Sequence, residues 1–333
     1  MIFRSRTVIW PVYIFDLRTA AKITLDVERN ISATFRQEEV EGRGLQNILE
    51  IQADFEPPRK VGPQLEAFKA GDYTGRQYED LPSPLTTFCE SLYLDFTEVS
   101  KRVFGAVRWR LGCAGPPRLP PPFLFEWSAD GESWSPLLIH YTMTGGISVH
   151  IPIERYVSEI EGLLNRAVDP DEAVEPLAHL MLLEARASMA DSSLDSALVI
   201  GMAAMEIHVK QLVSDLIPEA KWLVEKVQSP PVDKMLKEFL PTLPVRPPSV
   251  NVALPDDMLT TIKGAVSSRN DVVHTIHKPL KRNSVQRTLQ VIEDVLWLCD
   301  FYRGYAFAVA HIANDDFREA LKTAAGGTPV PIS

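Results

Sequence analysis

The chain is short of cysteine, of positive charge and of long apolar runs, and each shortage closes off a class of protein. Only three cysteines occur in 333 residues, Cys89, Cys113 and Cys299. Their odd number, wide spacing and lack of a CxxC pair exclude a disulfide framework and a zinc knuckle, and fit a reducing compartment. Basic side chains number 34 against 44 acidic ones, a net charge of −10, so the chain does not coat nucleic acid by bulk electrostatics and any such contact must be local. No stretch approaches the roughly 18 uncharged apolar residues of a membrane span. Arg4 and Arg6 followed by Val8 to Phe15 have the outline of a signal peptide, but Pro11 interrupts the run, Asp16 ends it, and no small-residue cleavage site follows. The expectation is a first strand, a cytoplasmic protein and no membrane partner.

What is present is ordinary for a globular chain, 45% apolar and 23% charged, and the length suits two domains. The first 155 residues read as a β-rich domain. The runs Thr7 to Phe15, Lys22 to Val27, Ile48 to Phe55, Ser91 to Phe96, Phe104 to Leu111 and Phe123 to Trp127 are rich in β-branched and aromatic residues between turn residues. Without alternating helices they predict antiparallel pairing in a sandwich or a barrel-like sheet. The proline-rich segment 116–122 lacks the amide hydrogens a central strand needs and is expected to be an exposed loop, or a ligand for a proline-binding module. Ser128, Asp130, Gly131 and Trp134 form a Ser-x-Asp-Gly-x-x-Trp run suited to a hairpin turn, with Trp127 and Trp134 packing on the sheet.

From about residue 168 to 315 the period changes to 3.6. Asp169 or Asp171 is expected to cap a first helix that carries Leu177, Leu180, Met181 and Leu183. Asp191, Ser192 or Ser193 caps a second, apolar nearly all round and running to Leu216, which predicts the buried centre of a bundle. A third runs from Asp256 to Ile276, stopped before Pro279. The fourth, capped by Asn283 or Ser284, carries Val285, Leu289, Ile292, Leu296, Cys299 and Tyr302 at intervals of three or four. The fold class is therefore α+β, an antiparallel β domain followed by a four-helix bundle, with 316–333 as a flexible tail.

The third helix ends in Arg269-Asn270-Asp271-Val272-Val273-His274. Histidine passes protons near neutral pH, and arginine carries a permanent charge in a forked geometry that suits phosphate oxygens, so the pair can serve phosphodiester cleavage. On an ideal helix residues five apart are rotated by about 140° and separated by about 7.5 Å along the axis. Arg269 and His274 therefore do not share a face, whereas Asn270 and His274 do. Convergence needs a distorted helix end, a folded arginine or a second protomer. Both residues can also do no more than cap helix carbonyls or pair with a carboxylate. His277, Lys278, Lys281 and Arg282, with Arg287, form a local basic cluster that can steer RNA phosphates or simply complement a helix dipole. Asp271, His274 and His277 can be drawn as a metal site at spacing three, but no further His or Cys lies beside them in the sequence and no resident metal or cofactor is expected.

The Arg-Asn-x3-His spacing near the end of the third of four helices resembles the signature of the HEPN superfamily, over about residues 170 to 312. That resemblance implies metal-independent RNA cleavage, in which a ribose 2′-OH attacks the adjacent phosphate. His274 would move a proton, Arg269 would stabilise phosphoryl charge and Asn270 would orient one of them. It also implies a homodimer through the helical half, with two motifs in one cleft, and polar Glu206 on the second helix as a supporting residue. A β-rich domain ahead of a HEPN domain resembles the Apea-like group of prokaryotic defence proteins, in which the N-terminal domain senses a trigger or binds a regulatory partner. The Ser-x-Asp-Gly-x-x-Trp run looks like one hairpin of discoidin-type sandwiches, which implies carbohydrate binding. The alternatives are a catalytically silent HEPN-type dimerisation or nucleotide- or RNA-binding module, and a β-sandwich ligand sensor.

Overall fold

A computed structural model describes residues 1–9, 21–26, 31–40, 44–73, 80–112, 122, 124–137, 175–222, 231–246, 249–274 and 279–325. The chain divides into two compact units, Met1–Val174 and Glu175–Ser333. Its architecture is mixed α+β, with one antiparallel sheet and more helix than strand.

The first unit is built on a sheet of order β2-β3-β4-β1-β5-β6, comprising β1 (Ile2–Val8), β2 (Ala21–Asp26), β3 (Ile31–Val40), β4 (Gly44–Asp54), β5 (Leu124–Ser128) and the two-residue β6 (Ser135–Pro136). Alternation along the strands separates its faces. Phe3, Ala33, Phe35, Leu49, Ile51, Phe125 and Trp127 are buried together. The other face carries a charged ladder. Arg4 bonds Glu126 at 2.8 Å, directly opposite in the register, Arg36 bonds Glu50 at 2.9 Å, and Arg6 pairs with Glu38 and Glu50. Among the described residues there is one antiparallel sheet, and they do not include the second sheet or the closure that a sandwich or barrel requires.

Its apolar face is covered by helices instead, α1 (Gly62–Ala70) and the 29-residue α2 (Ser83–Leu111). The expected strands Ser91 to Phe96 and Phe104 to Leu111 both lie in α2. The reason is a stripe that β-propensity hides: Leu85, Cys89, Leu92, Phe96, Val103 and Val107 recur at helical intervals and all join the sheet's core. Pro82 precedes the helix, and Gly112 (φ 58°) ends it in the left-handed conformation a side chain disfavours. The expected strands over Lys22 to Val27, Ile48 to Phe55 and Phe123 to Trp127 coincide with β2, β4 and β5 to within a few residues. Segment 116–121 lies outside the described residues.

The second unit is helical, with α3 (Leu177–Ala190), α4 (Leu194–Leu216), α5 (Asp256–His274), α6 (Arg282–Tyr302) and α7 (Asp315–Ala324). The α3 and α4 helices pack on each other and on α6, and α5 packs on α4 and α6. The expected caps at Asp169 and Asp171 lie outside the described residues, and Pro176 stands at the N-cap of α3. Neither Ser193 nor Lys281 caps its helix with a side-chain hydrogen bond. By length and composition α4 is apolar enough to cross a membrane, with mean hydropathy 1.3 over its best window. In the fold it is a core helix, burying Ala197, Met202, Met205, Val209 and Leu212. Residues 316–324, expected in a flexible tail, form most of α7, because Phe317 and Leu321 one turn apart bury against the unit and Asn314 caps the first turn by accepting the Phe317 N–H at 3.0 Å.

Candidate functional site

Two polar constellations stand out in the helical unit, one at the exposed end of α5 and one in the core.

At the end of α5, Arg269 continues the packed stripe Met258, Ile262, Ala265 at helical spacing and is half-buried. Its Nε is buried without a hydrogen-bond partner. Its Nη1 donates to the side chain of the adjacent residue, Asn270 Oδ1, at 3.4 Å, a long contact. Asn270 and His274 lie four residues apart and are both exposed, as is Val273, at 51%. Among the described residues His274 makes no hydrogen bond or ion pair. The arginine thus meets its neighbour Asn270, which shares a helix face with His274.

The surrounding basic residues are placed unevenly. Arg282 donates to the Met189 carbonyl at 2.9 Å and to Ser192 Oγ at 3.3 Å, closing the carboxyl end of α3, where Ser192 sits at φ 65°. Lys281 is exposed at the start of α6, and Arg287 lies 3.7 Å from Asp257 with both side chains mostly exposed. His277 and Lys278 lie outside the described residues, so the Asp271, His274 and His277 set is not assembled here. Glu206 on α4 is half-buried and makes no hydrogen bond or ion pair among the described residues.

The core constellation joins three helices. Asp300 of α6 has no exposed surface; its Oδ2 accepts from His179 Nε2 of α3 at 2.7 Å and its Oδ1 from His208 Nε2 of α4 at 2.9 Å. Arg303 Nη1 lies 3.6 Å from Oδ1 and its Nε 3.0 Å from Asp215. Trp297 packs on His179 with ring centroids 4.4 Å apart and on His311 at 4.7 Å. Burial by itself raises the Asp300 pKa, but the two imidazoles outweigh it and hold the carboxyl well below its usual range. Burial pushes His208 down toward the neutral form, against the pull of Asp300.

The donor atoms of His179, His208 and Asp300 lie within 4.8 Å of one another, so this set has the ligand chemistry of a metal site. Its geometry fits protons better. Both Nε2 atoms meet the carboxylate at hydrogen-bond distance, and His208 Nδ1 is buried without a partner, whereas a metal-bound imidazole normally donates its second N–H to an acceptor. With Nε2 protonated, the vacant Nδ1 is a bare acceptor, and no buried N–H is stranded. No sequence motif links residues 179, 208 and 300; the only signal was a histidine interrupting the apolar stripe of α4.

Cysteine chemistry is suppressed where it is described, since Cys89 and Cys299 are buried and burial pushes each thiol up to about 12. In the first unit the Ser-x-Asp-Gly run forms the turn between β5 and β6. Asp130 accepts the N–H groups of Ser133 at 2.8 Å and Glu132 at 2.9 Å and the Ser128 hydroxyl at 2.8 Å, contacts that hold its carboxyl below the usual range, and Gly131 takes φ 79°. Trp127 is in the core, while Trp134 carries the Arg4 guanidinium 3.5 Å above its ring.

No family model matches the chain, and no curated protein or solved structure matches it either.

Proposed function

We propose that the chain is a metal-independent endoribonuclease of the HEPN type, with α3 to α6 as its four-helix bundle and the end of α5 as its site. The observation that carries this reading is the contact of the Arg269 guanidinium with Asn270, on the helix end where Asn270 and His274 share the exposed face. The chemistry is transesterification: the RNA 2′-oxygen forms a bond to phosphorus as it loses its proton, the bond to the 5′-oxygen breaks as that oxygen gains one, and a 2′,3′-cyclic phosphate and a 5′-OH result. His274 moves the proton, and Arg269 holds the phosphoryl oxygens as charge builds on them. Among the described residues His274 is the one histidine at this helix end, and Val273 between Asn270 and His274 is an exposed apolar side chain. Two protomers meeting across α5 therefore supply one acid and one base, with twofold closure. Lys281 and the charges around it draw in RNA phosphate, and the N-terminal unit restrains or targets the nuclease in the cytoplasm.

The same exposed Val273 favours a second reading, a HEPN-type assembly module that dimerises through α5 and cuts nothing.

The deciding experiment is RNA cleavage in the presence of EDTA by wild type, Arg269→Ala and His274→Ala. Wild type should cleave to cyclic-phosphate ends, and both variants should lose the activity while melting like wild type. Cleavage abolished by EDTA and rescued by magnesium, or variants that cut at the wild-type rate, would overturn the assignment and promote the assembly module.

A further inference from the structure

A cleft of about 280 Å³ opens between α4, α5 and α6, away from the motif face. Thr260, Gly264 and Ser268 line it from α5 as one stripe at spacing four. At about 100° per residue, Arg269 and His274 are rotated off this stripe to opposite sides. The α6 helix contributes Ser284, Arg287 and Thr288 from its first two turns, and Leu198 of α4 adds an apolar patch.

The hydroxyls are the informative feature. Thr288 is only 5% exposed, yet among the described residues its hydroxyl makes no hydrogen bond; the hydroxyls of half-buried Ser268 and of exposed Thr260 and Ser284 are likewise unbonded there and open to solvent or ligand. Thr261, beside them, does what helical threonines ordinarily do and donates to the Asp257 carbonyl at 2.8 Å. A nearly buried polar group facing an open cleft without a partner is one that a ligand or solvent must satisfy. The start of α6 adds a second element. The Arg282 and Asn283 amides at that start receive no cap from the Lys281 side chain, whereas the Ser284 and Val285 N–H groups donate to the Lys281 carbonyl at 3.0 and 3.1 Å, and Arg287 stands one turn on with only a 3.7 Å contact to exposed Asp257. One end of the cleft thus favours an anion, and its wall favours a molecule rich in hydroxyls.

We propose that this cleft binds a ribose phosphate, either free or as one residue of an RNA strand. The phosphate sits at the α6 start with Arg287, the sugar hydroxyls pair with Thr288, Thr260, Ser268 and Ser284, and the sugar carbons lie on Leu198. The volume lies just below the usual range of ligand pockets, roughly 300–1,000 Å³, and suits a single sugar phosphate rather than a dinucleotide. The site does not rest on the nuclease reading, since none of these residues belongs to the Arg269 and His274 face.

Titration calorimetry of the full chain with ribose 5-phosphate, inorganic phosphate and a short oligoribonucleotide tests it. Ribose 5-phosphate should bind saturably and more tightly than phosphate. Thr288→Val, which removes one hydroxyl at constant shape, should weaken binding by roughly three- to tenfold. Gly264→Leu should abolish it without loss of fold, because a Cβ at Gly264 meets no atom within 4 Å. Arg269→Ala and His274→Ala should bind ribose 5-phosphate as wild type does, whether or not the chain cuts RNA. Competition between the sugar phosphate and the oligonucleotide identifies a residue of a strand, and binding of the sugar phosphate alone identifies a free ligand. Failure of ribose 5-phosphate and oligoribonucleotide alike to saturate, or binding that survives both Gly264→Leu and Thr288→Val, would overturn the proposal.

Discussion

Asp300→Ala should be among the most damaging single substitutions in the helical unit, and its cost can be worked from the contacts. The carboxylate is fully buried, accepts from His179 at 2.7 Å and His208 at 2.9 Å, and lies 3.6 Å from the Arg303 guanidinium. A hydrogen bond to a charged group contributes about 1.5–3 kcal/mol, and truncation strands both imidazole donors against a cavity. Breaking a buried charged network from one side costs about 3–5 kcal/mol. In a unit spanning Glu175–Ser333, where 1 kcal/mol moves the midpoint by roughly 2–4 °C, Asp300→Ala should melt on the order of 10 °C lower. Asp300→Asn should fall between. Its amide oxygen can accept from His208, while its NH₂ donates to His179 once that ring moves its proton to Nδ1. His208 is the ring that must keep its Nε2 proton, because a proton on its unpartnered Nδ1 would be stranded. Thermal unfolding followed by circular dichroism at neutral pH, with metal content measured on the purified protein, decides the matter. An Asp300→Ala midpoint within about 2 °C of wild type, or a stoichiometric transition metal that this substitution removes, would show that the triad is not a clasp held by hydrogen bonds.

Two glycines on the packed helices should respond in opposite directions. A Cβ at Gly201 would lie 2.5 Å from Leu289 Cδ2, and Leu289 is itself buried, so Gly201→Ala should destabilise despite its better helix propensity, by about 1 kcal/mol net. Gly264→Ala meets nothing and should stabilise by about 1 kcal/mol; denaturant midpoints that rank the pair the other way would contradict the packing of α4 on α6. Burial raises Asp294 to about 6, against the opposing pull of the Ala313 and Asn314 amides it accepts. A folded pKa above the unfolded value gives stability that is fully present below about pH 4 and lost as pH rises through about 6, a span on the order of 3 kcal/mol, so Asp294→Asn should flatten the melting profile there. His208 acts with the opposite sign: its folded pKa is lowered, so stability falls as pH drops below the unfolded value near 6.5, and His208→Gln should remove that acid-side loss.

The sequence was most legible where one periodicity governed a whole element. The α4 helix is apolar nearly all round and α6 repeats its apolar residues at three and four, and both lie within a few residues of their expected spans. The α2 helix shows the opposite case. Its Phe, Tyr, Val and Thr content mimics strands over any six residues, and only the longer stripe from Leu85 to Val107 reveals the helix. In the sheet β2, β4 and β5 were legible, but β3 and most of β1 were not, because their charged residues, Arg4, Arg6, Arg36 and Glu38, pair with one another or with Glu50 and Glu126 only after the register sets them side by side. At the candidate site, the local spacing of Arg269, Asn270 and His274 could be read directly. The His179, His208 and Asp300 triad could not, since its members are up to 121 positions apart and meet only through helix packing.

If Asn270 serves cleavage by steadying Arg269, substitutions at the two positions should not add. Arg269 leaves the packed stripe of α5 with its Nε buried and unpartnered, so little besides Asn270 Oδ1, 3.4 Å from Nη1, fixes where the guanidinium points. An ordinary hydrogen bond contributes about 0.5–1.5 kcal/mol; an exposed one of this length belongs at the lower end, which converts to roughly two- to fivefold in rate. Asn270→Ala should therefore lower kcat/KM for RNA by about that factor in an otherwise wild-type chain and change nothing further in the Arg269→Ala background. A direct contact between Asn270 and RNA predicts something different, equal losses in both backgrounds, because that contact survives removal of the arginine. Melting temperatures should barely move for Asn270→Ala, since the residue is exposed near the end of its helix. Cleavage rates for the four members of this cycle, taken with excess enzyme so that turnover does not mask the chemical step, separate the two cases: additive losses would refute the positioning role and make Asn270 a substrate-binding residue in its own right.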